Sequence, residues 1–284
     1  MKLLLIIVVV VVIICMGVIY GIGSYLVQAR PSIVGAVPND LKNTIAVSFP
    51  SQSGSQLSGW FMQSNQKKGA VLLLHGVKSN RLQMLDRARF LQKEGYSVLL
   101  FDFQAEGESQ GKHITFGYLE SLDAQSAYEY LEERVKRENI AVIGISLGGA
   151  SALLGTVSKK AKVMILESVY PTIDEAIKNR LEIYIGSFAK IFSPLLTLQL
   201  QPRLGISKDD LRPIDKIENV SGAIMIIAGS LDQHTTLSES QYLFSRAKEP
   251  KELWVIDGLG HVNFAKALPE EYQERVLSFL AKWM

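Results

Sequence analysis

The hexapeptide Gly144-Ile145-Ser146-Leu147-Gly148-Gly149 constrains this chain more than any other stretch. It joins the apolar run Ile140–Ile145, which reads as a strand buried on both faces, to Leu147–Ser158, whose small and apolar residues suit a packed helix. A chain passing from strand to helix across one residue must turn sharply. The glycines follow from that turn, because a Cβ at either position would strike the neighbouring strand or helix. The turn lifts Ser146 above the end of a buried sheet and brings the first amides of the new helix beside its side chain. A serine held there is a candidate nucleophile.

The text on either side fits such a sheet. Thr44–Phe49 and Leu57–Gln63 are predicted as a hairpin around the Ser/Gly-rich SQSGSQ. Strands are then predicted at Ala70–His75, Tyr96–Phe103, Ile140–Ile145, Lys162–Glu167, Ala223–Gly229 and Glu252–Asp257. They alternate with helices at Asn80–Glu94, Tyr118–Arg137, Leu147–Ser158, Ser238–Ala247 and Pro269–Trp283. In the first of these, Leu82, Leu85, Ala88 and Leu91 share one face. An antiparallel start followed by strand–helix alternation predicts an α/β fold with a mostly parallel sheet and helices on both faces. About 55 residues separate KVMILE from AIMIIAG, far more than a usual connection, and residues 171–217 are predicted as a helical lid insertion. Its apolar residues, from Leu181 to Leu200, either pack onto the sheet or cover a hydrophobic substrate.

A serine is a weak nucleophile without a base and an orienting acid. Asp232 ends the strand-and-loop AIMIIAGSLD, and His261 follows the strand ending at Asp257. Both thus lie beyond the C-terminal ends of strands, as Ser146 does, and open α/β sheets bind their ligands along that edge. Glu167 is a second candidate acid, whereas Asp102 is expected to fix the turn FDFQAEGESQG. His234 and His113 are expected as loop residues, and the His75 side chain as a brace for the loop after its strand. The amide of Val77 in that loop and that of Leu147 at the start of the helix are candidate oxyanion donors.

In order, LLLHG, FDFQAEGESQG, GISLGG, AGSLDQHT and GLGHVNF resemble the α/β-hydrolase superfamily over residues 43–284. More narrowly the chain is similar to bacterial membrane-anchored serine hydrolases of the serine-aminopeptidase-like (S33-type) group. The resemblance implies Ser146 as nucleophile, Asp232 as acid, His261 as base, and the Val77 and Leu147 amides as the oxyanion hole. Gln104-Ala105-Glu106 departs from the Arg-Gly-His or Arg-Gly-Tyr more often found in such loops. The expected activity is cleavage of an acyl ester. The alternatives are a serine peptidase or aminopeptidase of the same fold, or a non-catalytic scaffold tethered to a membrane.

Composition narrows the partners. Thirty Lys+Arg against 28 Asp+Glu leave a net charge of +2, which argues against nucleic acid. The single cysteine, Cys15, permits no internal disulfide, and the four histidines lack metal-ligand spacing, so neither metal nor cofactor is expected. The expected partner is a small-molecule or lipid-like acyl substrate. No charge occurs from Leu3 to Ala29. As a helix rising about 1.5 Å per residue this stretch spans roughly 40 Å, enough to cross the ~30 Å hydrocarbon core. Residues 1–29 are therefore expected as a single-pass transmembrane anchor, 30–42 as a linker and 43–284 as the catalytic domain. Lys2 favours a cytoplasmic N-terminus and an extracytoplasmic domain. A signal peptide cleaved after Val27-Gln28-Ala29 is the competing reading.

Overall fold

The computed structural model describes residues 1–136 and 138–284. Eight strands form its sheet: β1 (Thr44–Pro50), β2 (Gln56–Met62), β3 (Ala70–Leu74), β4 (Ser97–Phe101), β5 (Ile140–Ile145), β6 (Val163–Glu167), β7 (Ala223–Gly229) and β8 (Lys251–Ile256). Their spatial order is β8-β7-β6-β5-β3-β4-β2-β1. The hairpin β1–β2 and the β2–β4 pair are antiparallel, and every other pairing is parallel. This is the α/β-hydrolase fold expected from the sequence. All eight strands fall where the sequence pattern predicts them; β3 to β7, buried at every residue, read as continuous apolar runs because both their faces are covered.

The sheet divides the core into two layers. One holds Leu72, Leu74, Ala150, Leu153 and Leu166 beneath helices α3 (Tyr118–Val135) and α4 (Leu147–Leu154). The other holds Val71, Leu73, Ile143, Ile165 and Tyr272 beneath α2 (Leu85–Lys93) and the C-terminal helix Pro269–Trp283. The helix predicted over Tyr118–Arg137 is described as far as Val135, and Arg137 lies outside the described residues. The helix predicted from Asn80 opens as a 3-10 turn, Arg81–Met84. Its three-residue period rotates the buried face. Leu82 is consequently exposed, while Arg81, Met84, Arg87, Ala88 and Leu91 are buried.

The insertion folds as α5 (Ile173–Ile185), α6 (Ala189–Thr197) and the single turn Leu200–Leu204. Part of it meets the expectation of packing onto the sheet. Ile173, Ile177, Leu196 and Leu200 pack down onto the core, while Ile183, Tyr184, Phe188, Ile191 and Leu198 stay exposed.

The N-terminal helix α1 (Lys2–Val27) is apolar on every side and exposed over most of its length. Its last turns meet the lid: Arg203 donates to Ser24 Oγ (2.8 Å) and to the Tyr20 carbonyl (2.6 Å), and Gln199 to the Ile19 carbonyl (3.2 Å). The chain then joins the domain directly. Ile114 N donates to Val27 O, and Arg30–Pro31 pairs in parallel with Glu106–Gly107. The first residues of the stretch expected as a linker, 30 to 32, are thus paired to the domain. Pairing satisfies backbone groups of residues 30 to 32 against the loop that follows β4.

Candidate active site

The turn at Ser146 has the geometry its glycines require. Ser146 sits at φ 48°, ψ −109°, a conformation that L-residues rarely adopt. A Cβ on Gly144 would lie 2.5 Å from the Gly149 amide nitrogen, and one on Gly148 would run into the Leu74 and His75 carbonyls. Those contacts set α4 directly against the end of β3, so the amide of Leu147 lies near the loop that carries Val77. The Ser146 amide donates to the Glu167 carbonyl (2.8 Å), which ties the turn to the end of β6. Ser146 is 3% exposed, and its Oγ has no hydrogen-bond partner among the described residues.

Asp232 and His261 meet at the same edge of the sheet. His261 Nδ1 lies 2.8 Å from Asp232 Oδ2. The other carboxylate oxygen accepts from the amides of His234 (2.8 Å) and Thr235 (3.0 Å). Burial opposes ionisation of Asp232, but the bond and charge of His261 and the Thr235 amide outweigh it and hold the carboxyl below its ordinary range. An ionised acceptor at Nδ1 selects the neutral tautomer that carries its proton there and its lone pair on Nε2, the tautomer a base needs. His234 differs from the expected surface loop residue: it is half-buried, with its ring centre 5.0 Å from that of His261.

The loop carrying Val77 is fixed from several sides. Gly76 N donates to Gln83 Oε1 (2.7 Å). The buried His75 ring accepts from the Phe103 amide at Nε2 (3.0 Å) and lies 2.8 Å from the Gly76 carbonyl through Nδ1. Burial lowers its pKa to about 4, so it stays neutral and braces the loop as expected. Asp102 is structural too. It accepts the Arg81 amide (2.7 Å) and pairs with the Arg81 guanidinium, which also reaches Glu108.

Glu167 faces no histidine. It pairs with Arg87, which is wholly buried, and accepts the Tyr272 hydroxyl (2.6 Å). Arg87 also donates to Asn263 Oδ1 (2.8 Å), and Asn263 Nδ2 to the Gln83 carbonyl (3.3 Å). One buried network thus links the serine turn, the His261 loop and the Val77 loop. Sequence reasoning missed it. The available signal was Arg87 in the same helical stripe as Met84 and Leu91, a cation where only a buried partner would suit.

Comparisons agree with this architecture. The model of the family described as serine aminopeptidase, S33, matches residues 65–210. The uncharacterized protein Rv2307c of Mycobacterium tuberculosis is 30% identical over 214 residues, covering 74% of this chain and 69% of that protein. YfhR of Escherichia coli K12, also uncharacterized, is 26% identical over 248 residues, covering 83% of this chain and 80% of its own length. Among solved structures, the esterase Pf2001 of Pyrococcus furiosus is 28% identical, with a TM-score of 0.73 over 90% of this chain and 100% of that one.

Proposed function

Because the chain belongs to the serine aminopeptidase S33 family of α/β-hydrolases, we propose that it cleaves carboxylic esters through Ser146, His261 and Asp232. The observation that carries this reading is the 2.8 Å His261–Asp232 contact at the sheet edge where Ser146 sits in its strained turn. Rotation of the Ser146 side chain toward His261 Nε2 starts the reaction. The imidazole takes the hydroxyl proton as Oγ bonds to the acyl carbon, and the carbonyl electron pair moves onto its oxygen. The Val77 and Leu147 amides hold that oxyanion. Its collapse breaks the ester C–O bond, and His261 gives its proton to the departing alcohol. Water then loses a proton to His261 and attacks the acyl-enzyme. The acid is released and the proton returns to Ser146. Asp232 stays ionised throughout.

Fluorophosphonate labelling tests the assignment. Wild type takes the probe and Ser146→Ala does not; equal labelling of both overturns the reading. The esterase name of the Pf2001 neighbour favours an ester substrate over the peptide that the family name suggests. p-Nitrophenyl esters run against aminoacyl-naphthylamides separate the two.

The same proposal places α1 in a bilayer as an uncleaved anchor, since its exposed apolar surface has no cover among the described residues and its C-terminal end is bonded to the domain. The full-length protein then resists a carbonate wash. Release by carbonate, or a mature N-terminus near Arg30, overturns this placement.

A further inference from the structure

Three cationic side chains gather beside the candidate site, and none forms an ion pair among the described residues. Lys78 directly follows Val77, and its ammonium lies 4.1 Å from the centre of the Tyr25 ring. The Arg30 guanidinium lies 4.4 Å from the same ring, with Nε and Nη2 buried and without hydrogen-bond partners among the described residues. Arg180 approaches from α5 on the lid. Its hydrogen bond goes to the Ala176 carbonyl of its own helix (3.0 Å), and its charge is felt at Lys78, His234 and Asp232.

The nearby carboxyl groups do not neutralise this cluster. Asp232 is occupied by His261 and two amides. Glu239 accepts from Asn179 (2.8 Å) and from the Thr236 amide (2.8 Å). Burial, and then the neighbouring Glu120, push Glu106 up to about 8, so it is largely protonated at neutral pH. Burial, followed by the charges of Arg30 and Arg180, lowers the pKa of Lys78. Lys78 is exposed and Arg30 and Arg180 are half-buried, and an anion among these like charges relieves their repulsion.

We infer that Lys78, Arg30 and Arg180 form a subsite for an anionic group, phosphate or carboxylate, carried by the acyl ester that the site cleaves. The inference rests on the serine-hydrolase reading and adds the substrate's charge. Guanidinium groups suit such an oxyanion through paired N–H donors, and the ammonium adds a point charge. Lys78 extends from the same loop as the Val77 amide, so an anion held there sets the ester against the oxyanion donors. Tyr25 and Arg30 belong to or directly follow the N-terminal helix. That end of the helix thus supplies part of the recognition as well as the tether.

Binding to the full-length Ser146→Ala protein tests the subsite without turnover. The probes are 1-O-octylglycerol, its 3-phosphate, an octyl ether ending in a carboxylate, and inorganic phosphate. The charged ethers are expected to bind at least about tenfold tighter than the neutral one. Adding Lys78→Gln and Arg180→Gln should shrink that preference below about threefold. Competition by inorganic phosphate would identify a site for free anion, and its absence a site for an anionic headgroup with its chain. Equal binding of neutral and charged ethers overturns the inference, as does a preference that survives loss of both cations. In the Ser146 background, kcat/KM for octanoylglycerol against its phosphate gives a second readout of the same preference. Failure of the binding test leaves Ser146 labelling untouched, and absent labelling leaves the binding result untouched, so the two readings fail separately.

Discussion

Strands β3, β5, β6 and β7 bury every residue, whereas the insertion between β6 and β7 leaves Tyr184 82%, Leu198 72% and Phe188 64% exposed. Both regions are rich in the same apolar residues. The sheet confines its side chains on two faces, so the positions of Ser146 and Glu167 follow from strand register with little freedom. The lid has one confined face and one open face. Atoms that must meet within tenths of an ångström ride on the first region, whereas the second leaves its outward side chains unconfined.

The largest expected effect breaks the chemistry and spares the scaffold. Ser146→Ala should lower kcat by about 10⁴- to 10⁶-fold, with residual turnover from the oxyanion amides and binding alone. Its fold should persist in circular dichroism, because the Oγ it removes has no partner among the described residues. Next comes the network beneath the site. Arg87→Met leaves Glu167 buried without its cation and should cost about 3–5 kcal/mol in denaturant unfolding, as breaking one side of a buried pair does. A loss below about 1 kcal/mol would show that the region under the sheet edge adapts as freely as the lid.

A smaller effect depends on pH. Glu106 titrates near 8 when folded, above the ordinary 4.5 of an unfolded chain, so the folded protein binds that proton more tightly. The stability this confers is complete below about pH 4.5 and is lost as pH rises to about 8. Asp123, raised by burial to about 7, acts in the same direction. The unfolding midpoint should therefore fall between pH 5 and 8, and Glu106→Gln should flatten part of that slope. The smallest effect belongs to the open face of the lid. Phe188→Ser and Leu198→Ser should each change stability by no more than about 0.5 kcal/mol, since little apolar surface returns to water. A larger loss would mean that this face is covered after all.

The same contrast explains what could be read from the chain. Continuous apolar runs mark strands buried on both faces, which is why β5 and β7 carry the predicted bounds, Ile140–Ile145 and Ala223–Gly229. The turn at Ser146 was legible because its glycines answer a steric demand within six residues. What escaped reading depends on partners remote in sequence. Arg87 bonds Tyr272 across 185 positions, and Arg203 bonds Ser24 across 179. The rotation of Arg81–Met84 was hidden as well, because the pull on Arg81 comes from Asp102, whose position only the folded sheet defines.

The splice between α1 and the domain has a mechanical consequence. A flexible tether fixes how far a domain can wander but leaves it free to roll, whereas this helix is held at two separated places. The lid grips it at Tyr20 and Ser24, and the loop after β4 grips the chain at Arg30 and Ser32. Two points of attachment remove rotation about the helix axis. A tilt of the helix would carry the sheet with it, and the carboxyl edge bearing Ser146 would keep one azimuth toward whatever plane the helix stands in.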